Sequence, residues 1–355
     1  MRQPSSVGAF VGREAVEMAA LVPALFRLCA AAQAAACAAA LEQARGRSAP
    51  SSERRARARR VAAETVREHL WRILLDWPLA LGEAPQVSAM AEVIALHDRW
   101  RQEPASHPVG ARSAAEVALG RHVAEWVFGR APRAWVAEIG DRAALTYWSE
   151  HTGTPAARLC RVLLATGRGG FGRCAVPPLP DCAGGALATV LGGPEAAAFI
   201  AAPTWAGRPH ETSPLTRRAD HPLIRDLDLA FGNGLVTRLA AQLVELADLI
   251  EPAASDVAGR FDAVSPDSAM GTGIGLVPAA RGLLAHWVRL DGDRIADYRI
   301  LAPTDWNGHP DGVLASGLAA LIDAAGPSAD AWARLFVAAV DPCVACELAY
   351  DAAGD

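Results

Sequence analysis

Residues 279–301 read AARGLLAHWVRLDGDRIADYRIL. LLAHWVRL and DRIADYRIL alternate apolar and polar residues around Asp291-Gly292, a pair that tolerates the positive φ angles of a type I′ turn. The stretch therefore reads as a β-hairpin, in a chain whose other patterns are helical. Residues 12–46 predict one helix, or two broken near Pro23, rich in alanine and leucine and ended by Gly46. Residues 48–60 (SAPSSERRARARR) predict a loop and a basic helix start. Arg54, Arg55, Arg57, Arg59 and Arg60 there form a solvated face or, on a sharper alternative, a dock for an acidic partner. The helical pattern runs on to Trp77, where Pro78 stops it. Further helices are expected over 87–101, 112–129 and 233–250, then over about 311–325 and 328–339. Glycine, proline and cysteine crowd residues 167–194, which predicts a long irregular loop. The fold class is α+β, mostly α, as one domain over 1–355. It has a helical core over 12–250, and a hairpin and tail segment over 261–355.

The 355 residues are 52% hydrophobic and 21% charged, the balance of a soluble globular protein. A net charge of −5 leaves no global field to hold nucleic acid or an anionic membrane. No lysine occurs, so all 34 basic residues are arginine. This excludes a Schiff-base lysine, a pyridoxal-phosphate site and a Walker lysine. The opening MRQPSSVGAFVGRE has no apolar core of a secretory signal, and the longest apolar run, Leu28 to Leu41, is too short to span a bilayer. The expected location is cytoplasmic. Seven cysteines, an odd number in a reducing compartment, argue against a disulfide framework.

Asp341-Pro342-Cys343-Val344-Ala345-Cys346 carries the clearest chemical signal. Two thiolates at i and i+3 converge on one metal ion, but the chain lacks a second CxxC or a histidine pair for a closed zinc site. Cys29 is the candidate third ligand; the alternative is that it and Cys37 are small apolar residues in a packed helix. Cys160, Cys174 and Cys182 have no CxxC partner and are expected to be buried or incidental thiols. Gly271-Thr272-Gly273-Ile274-Gly275 fails the dinucleotide pattern at Leu276 and Pro278, and reads as backbone passing close to something. Arg281 follows just before the hairpin. A guanidinium beside thiolates lowers their pKa and donates hydrogen bonds to a small anion; a surface arginine is the alternative. His286, within the first hairpin strand, is expected in the core or behind a ligand. No GxSxG or other serine-nucleophile context is present.

Several segments together resemble the large subunit of nickel-iron hydrogenases. Asp341 to Cys346 resembles its C-terminal DPCxxC, and Ala279-Ala280-Arg281-Gly282-Leu283-Leu284-Ala285-His286 its APRGxLxH. Asp291-Gly292, Ile295, Tyr298 and Pro303-Thr304-Asp305-Trp306-Asn307 resemble DG, IxxY and PTxWN in the same order. Pro203 to Glu211 with Ser213-Pro214-Leu215 is similar to PxWxGxPxExGPLAR, with serine in place of glycine. Arg238, Ala241 and Glu245 are similar to RxxARxxE, and Leu21 through Cys29 to the LxxRICGxC segment. The resemblance implies a large-subunit-like helical bundle with a small antiparallel sheet.

The departures shape the expected function. The family's nickel takes four thiolates, two from each CxxC, whereas the first pair here is Cys29 and Ala32. Its next histidine is Ala36, its C-terminal histidine is Ala349, and its EAPRG glutamate is Pro278. The proton-relaying glutamate is not recognisable in GREAVEMAA. This pattern resembles the hydrogenase maturation proteins called HupK or HoxV, which implies a non-catalytic scaffold holding an Fe(CN)2CO unit, with no nickel. The implied metal ligands are Cys343, Cys346 and Cys29. Arg281 and Thr304, with Ala280 and Pro303 beside them, would face the cyanide and carbonyl ligands. The implied partners are a HypC-like chaperone, the HypD and HypE machinery, and a hydrogenase large-subunit precursor. A degenerate nickel-iron enzyme and a metal-free partner-binding relative are the alternatives.

Overall fold

The computed structural model describes residues 6–102, 112–180, 184–250, 270–326 and 329–343. Three antiparallel strands in the order β1-β2-β3 make the sheet: β1 Thr272–Ala279, β2 Gly282–Asp291 and β3 Arg294–Leu301. The expected hairpin is β2–β3, but its two-residue turn is Gly292-Asp293, one position later than read, because Asp291 pairs with Arg294. Gly292 supplies the positive φ of 57°. A second tight hairpin joins β1 to β2. Ala279 pairs with Gly282, so Arg281 sits in a turn rather than ahead of the first strand.

The N-terminal helical run breaks, but at Phe26 rather than Pro23. Helix α1 (Met18–Leu25) contains Pro23, a 3-10 turn spans Arg27–Cys29, and α2 covers Ala30–Ala44. The two helical arms meet at 96°. No single helix among the described residues is long and apolar enough to cross a membrane. The corner puts Cys29 at the N-terminal end of α2, whose body lies flat on the sheet. A Cβ on Gly275 would stand 2.0 Å from the Ala36 carbonyl oxygen, and one on Gly273 2.1 Å from that of Ala40. The glycines of the failed dinucleotide pattern thus allow backbone-to-backbone contact between β1 and α2. Alanine on α2 serves the same approach from the other side: Ala32, Ala36 and Ala40 are fully buried.

Helix α3 (Ser51–Trp71) continues through a π turn, Arg72–Asp76, into a short helix, Trp77–Ala80. Pro78 does not stop the helix as expected; it sits in the first turn of that last segment, where a missing N–H costs little. The basic start of α3 is not a free solvated face: Arg57 pairs with Glu42 and Glu53, and Arg59 with Glu116 at 2.9 Å. Beyond it, α4 (Val87–Arg101) coincides with expectation, and α5 (Ala114–Val123) runs into a second π turn, Ala124–Phe128. Helices α6 (Arg142–His151) and α7 (Pro155–Ala165) follow.

The segment 167–194 is only half irregular. Its second part forms α8 (Gly184–Gly192), which buries Leu187 and Leu191 against Ile274, Ala285 and Trp287 of the sheet face opposite α2. Helices α9 (Pro222–Phe231), α10 (Leu235–Ile250), α11 (Val313–Ala325) and α12 (Ala329–Val340) complete the helical body. Helix α10 is almost wholly buried and runs through the largest core cluster, with Trp77, Trp135, Trp148 and Phe336. Cys160 of α7 belongs to that cluster as a buried thiol, with burial pushing its pKa up to about 12. Cys174 accepts a hydrogen bond from Asn233 at 3.5 Å, and Cys182 lies outside the described residues.

Candidate functional site

Four parts of the chain meet at the N-terminal end of α2. Cys29 arrives from the bent corner and Arg281 from the β1–β2 turn. Thr304 lies in the short helix Pro303–Asn307, and Cys343 follows α12. The Cys343 backbone N–H donates to the Thr304 hydroxyl oxygen at 3.0 Å. The Cys29 and Cys343 thiols share a hydrogen bond. Ala280 and Pro303 are buried beside Arg281 and Thr304 in the chain. Cys346 lies outside the described residues.

The tail reaches this point through a turn at Asp341, one of the two non-glycine residues in the left-handed region among the described residues, with φ of 56°. A non-glycine residue holds that conformation only where its surroundings fix it. Asp341 is fixed by two arginines. Its carboxylate pairs with Arg72 from the π turn of α3, and lies 3.2 Å from Arg281 Nε.

Arg281 is 4% exposed. Its Nη2 donates to Glu68 Oε2 at 2.8 Å. Its Nε is near Asp341 in charge but off the line of a hydrogen bond, and its buried Nη1 has no hydrogen-bond partner among the described residues. Buried donors are nearly always satisfied, so an unmet guanidinium N–H on an arginine whose charge acts on Cys343 marks a place for an acceptor. The sulfurs are unequal. Cys343 is lowered by the hydrogen bond from Cys29, against burial, with help from the Arg281 charge and Thr304. Cys29 is pushed up by the same shared hydrogen bond, by burial and by the nearby negative groups.

The sequence does not single out Glu64, Glu68 or Gln33, all of which shape the site. Glu64 of α3 accepts the backbone N–H groups of Ala31 at 2.8 Å and Ala32 at 3.1 Å. It thereby caps α2, for which Cys29 provides no side-chain cap. Burial raises Glu64 to about 7 against those backbone donors. Gln33 donates to Cys29 Sγ at 3.6 Å. His286 is fully buried and bonds Gln33 at 2.8 Å and Tyr298 at 2.7 Å, as expected for a core histidine.

Further motif residues build the walls. Glu211 and Arg238 form a buried bidentate pair. Glu245 takes Arg217 at 2.7 Å through each of two nitrogens and His69 at 2.9 Å. Arg217 also donates to the Ala280 carbonyl at 3.3 Å. Asn307 pairs with both backbone groups of Thr212, at 2.8 and 3.0 Å, and the Thr212 hydroxyl oxygen accepts the Leu283 N–H at 2.8 Å. The loop before Pro214 is thus tied to the start of β2. Gly282 has φ of 139°, and a Cβ there would meet the Thr212 carbonyl oxygen at 2.4 Å. Glu14 and Glu17, by contrast, are exposed and pair with Arg294 and Arg13.

A family model described as nickel-dependent hydrogenase matches residues 229–348, which contain Arg281, Thr304 and Cys343. The hydrogenase expression/formation protein HoxV of Cupriavidus necator is 36% identical over 91% of this chain and 85% of its own. The expression/formation protein HupK of Azotobacter vinelandii is 31% identical over 95% and 89%. The chain belongs to the HoxV/HupK family of hydrogenase expression/formation proteins. Among solved structures, an NAD+-reducing nickel-iron hydrogenase superposes with a TM-score of 0.58, covering 97% of this chain and 90% of that one at 16% identity. That likeness establishes the large-subunit fold for this HoxV/HupK chain. In the HoxV/HupK chain the residue three positions after Cys29 is a fully buried Ala32, its N–H spent on Glu64.

Proposed function

We propose that this hydrogenase-formation protein is a scaffold that holds an Fe(CN)2CO unit as cargo and hands it on for assembly of a nickel-iron active site. The observation that supports this reading is the buried Arg281, whose charge acts on Cys343 and whose Nη1 donor is unmet. Cyanide is an anionic acceptor, and a fixed guanidinium fork suits it. Thiolates suit low-spin iron. Cys343, the sulfur held at the lower pKa, is the first ligand, Cys29 the second and Cys346 the third. Thr304 fixes the Cys343 backbone, and buried Ala280 and Pro303 exclude water from the carbonyl side. Cargo would come from a HypC-like chaperone and the HypD/HypE machinery in the cytoplasm. It would leave to a large-subunit precursor.

A nickel-iron enzyme is the weaker reading. Ala32 offers no sulfur, its backbone is already engaged, and Glu14 and Glu17 point to solvent pairs rather than to the sulfurs. The test is anaerobic purification from a host with intact maturation machinery, followed by metal analysis and infrared spectroscopy. Iron with cyanide and carbonyl bands, without nickel, is expected. Stoichiometric nickel with hydrogen uptake, or no iron at all, refutes the scaffold.

A further inference from the structure

A row of buried polar side chains leads away from Cys29, and the proposed function gives it no role. Cys29, Gln33 and Cys37 lie at i, i+4 and i+8, along one face of α2. His286 of β2 and Tyr298 of β3 face them from the sheet. Gln33 Nε2 lies 3.6 Å from Cys29 Sγ, and Gln33 Oε1 lies 2.8 Å from His286 Nε2. His286 Nδ1 lies 2.7 Å from the Tyr298 hydroxyl, which is also hydrogen-bonded to Cys37. Gln33, Cys37, His286 and Tyr298 are each at most 4% exposed. Around them the packing is apolar, with Phe10 edge-on to Tyr298 at 5.1 Å and Val288, Ile295 and Leu41 in the same cluster.

The sense of this row follows from its end. The Gln33 amide nitrogen is the group that faces the sulfur, so the Cys29 sulfur accepts. Gln33 therefore presents its NH2 to Cys29 and its carbonyl oxygen to His286. His286 must then carry its proton on Nε2, and its Nδ1 accepts from Tyr298. From Tyr298 through His286 and Gln33 the donors point toward the Cys29 sulfur, and hydrogen bonds in series polarise one another. An apolar strip between helix and sheet would pack without any need to satisfy four polar groups. A row that ends on a sulfur lone pair is better explained by what it does to that sulfur.

We propose that Gln33, held by His286 and Tyr298, is a positioning residue that aims a hydrogen bond at the Cys29 sulfur and weakens its electron donation to bound iron. This rests on the scaffold function, because the iron is the proposed cargo. A sulfur that accepts a hydrogen bond pushes less density onto the iron. Back-donation into carbonyl and cyanide then falls, their stretching bands rise, and the bond to Cys29 becomes the easier one to break at hand-over.

Two measurements test this. The first uses the iron-free wild-type protein with 15N-labelled histidine, and needs no cargo. NMR should find the His286 proton on Nε2; a proton on Nδ1 reverses the row, makes Cys29 the donor and overturns the proposal. The second uses iron-loaded Gln33→Met, close in shape but without a donor. Carbonyl and cyanide bands should both move to lower wavenumber with iron content retained; unshifted bands overturn the proposal. If wild-type protein never loads iron, the scaffold function fails, while the histidine measurement still decides the direction of the row. It also decides if Gln33→Met does not fold.

Discussion

Replacing Arg281 by methionine tests the site and the packing at once, and the two effects separate. The guanidinium makes one aligned charged hydrogen bond, to Glu68 at 2.8 Å, and a looser contact with Asp341 at 3.2 Å. A hydrogen bond to a charged group contributes about 1.5–3 kcal/mol. Stripping a buried carboxylate of its only partner costs about 3–5 kcal/mol. That larger figure does not apply, because Glu68 keeps Arg67 and Asp341 keeps Arg72. Arg281→Met should therefore lose about 2–3 kcal/mol in urea titration, and for a chain of this length Tm should fall by about 3–4 °C. The protein stays folded by near-ultraviolet circular dichroism, yet retains no cyanide-ligated iron. Arg281→Lys sharpens the test. An ammonium restores charge between Glu68 and Asp341 but lacks the rigid guanidinium fork with its unmet second nitrogen. Most of the stability should return while iron retention does not. Full iron occupancy with unshifted cyanide bands in Arg281→Met refutes the role given to Nη1. A stability loss above about 5 kcal/mol refutes the view that Arg67 and Arg72 cover the two carboxylates.

Three further outcomes follow from the same coordinates. Cys29→Ala and Cys343→Ala should each abolish iron retention in anaerobic metal analysis, because the two sulfurs lie against each other; unchanged iron in the Cys29 variant removes that residue from the ligand set. Gly275→Ala should destabilise by roughly 3 kcal/mol, the upper end of overpacking costs, because the new methyl meets the Ala36 backbone at 2.0 Å, and a wild-type urea midpoint contradicts it. Burial lowers His286 from 6.5 to about 3. Below pH 6.5 the unfolded chain therefore binds a proton that the folded chain refuses, and stability is lost as pH falls from 6.5 toward 3. His286→Phe lacks that term and should gain on wild type by about 2 kcal/mol between pH 6.5 and about 4.5. Glu64, raised to about 7, titrates in the opposite sense in both proteins and cancels in the difference; parallel stability curves for the two proteins refute the buried neutral ring.

What could be read in advance was whatever is local in sequence. The β2–β3 hairpin, the 87–101 helix and the glycines that admit close backbone contact each announce themselves within a few residues. Arg281, Thr304 and Cys343 were legible because each sits in a short, unusual string. The α8 helix was hidden by Gly184, Gly185, Gly192 and Gly193, which look like loop residues; it forms because Leu187 and Leu191 find the uncovered face of the sheet. Glu64 and Glu68 were hidden for the opposite reason. In SSERRARARRVAAETVREH they look like two more charges on a charged helix. Their signal was phase: they fall on the same side as Ala58, Val61 and Thr65, all buried. A carboxylate on the apolar side of a helix needs a partner from elsewhere, and here the partners are the α2 N-terminus and Arg281.

The two glutamates also bear on the proposed carrier role. The N-terminal end of α2 is a positive dipole end that would favour thiolate at Cys29. Glu64 occupies it, accepting the very N–H groups that would otherwise face the sulfur, and its charge works against ionisation of Cys29. Cys343 instead receives the Arg281 charge, the Thr304 hydroxyl and the Cys29 hydrogen bond. One sulfur is prepared to ionise readily and its neighbour is held back from ionising. On the proposed reading, iron is gripped from the tail side and held lightly from the helix side, so release needs only the weaker bond to open first. Glu64→Gln then separates a cap from a charge. The amide oxygen still accepts one backbone N–H, so α2 keeps its start, but the negative charge beside Cys29 is gone. Iron should be held longer against a chelator in this variant than in wild type; faster loss would mean that the carboxylate stabilises the loaded state and that the asymmetry of the sulfurs does not govern release.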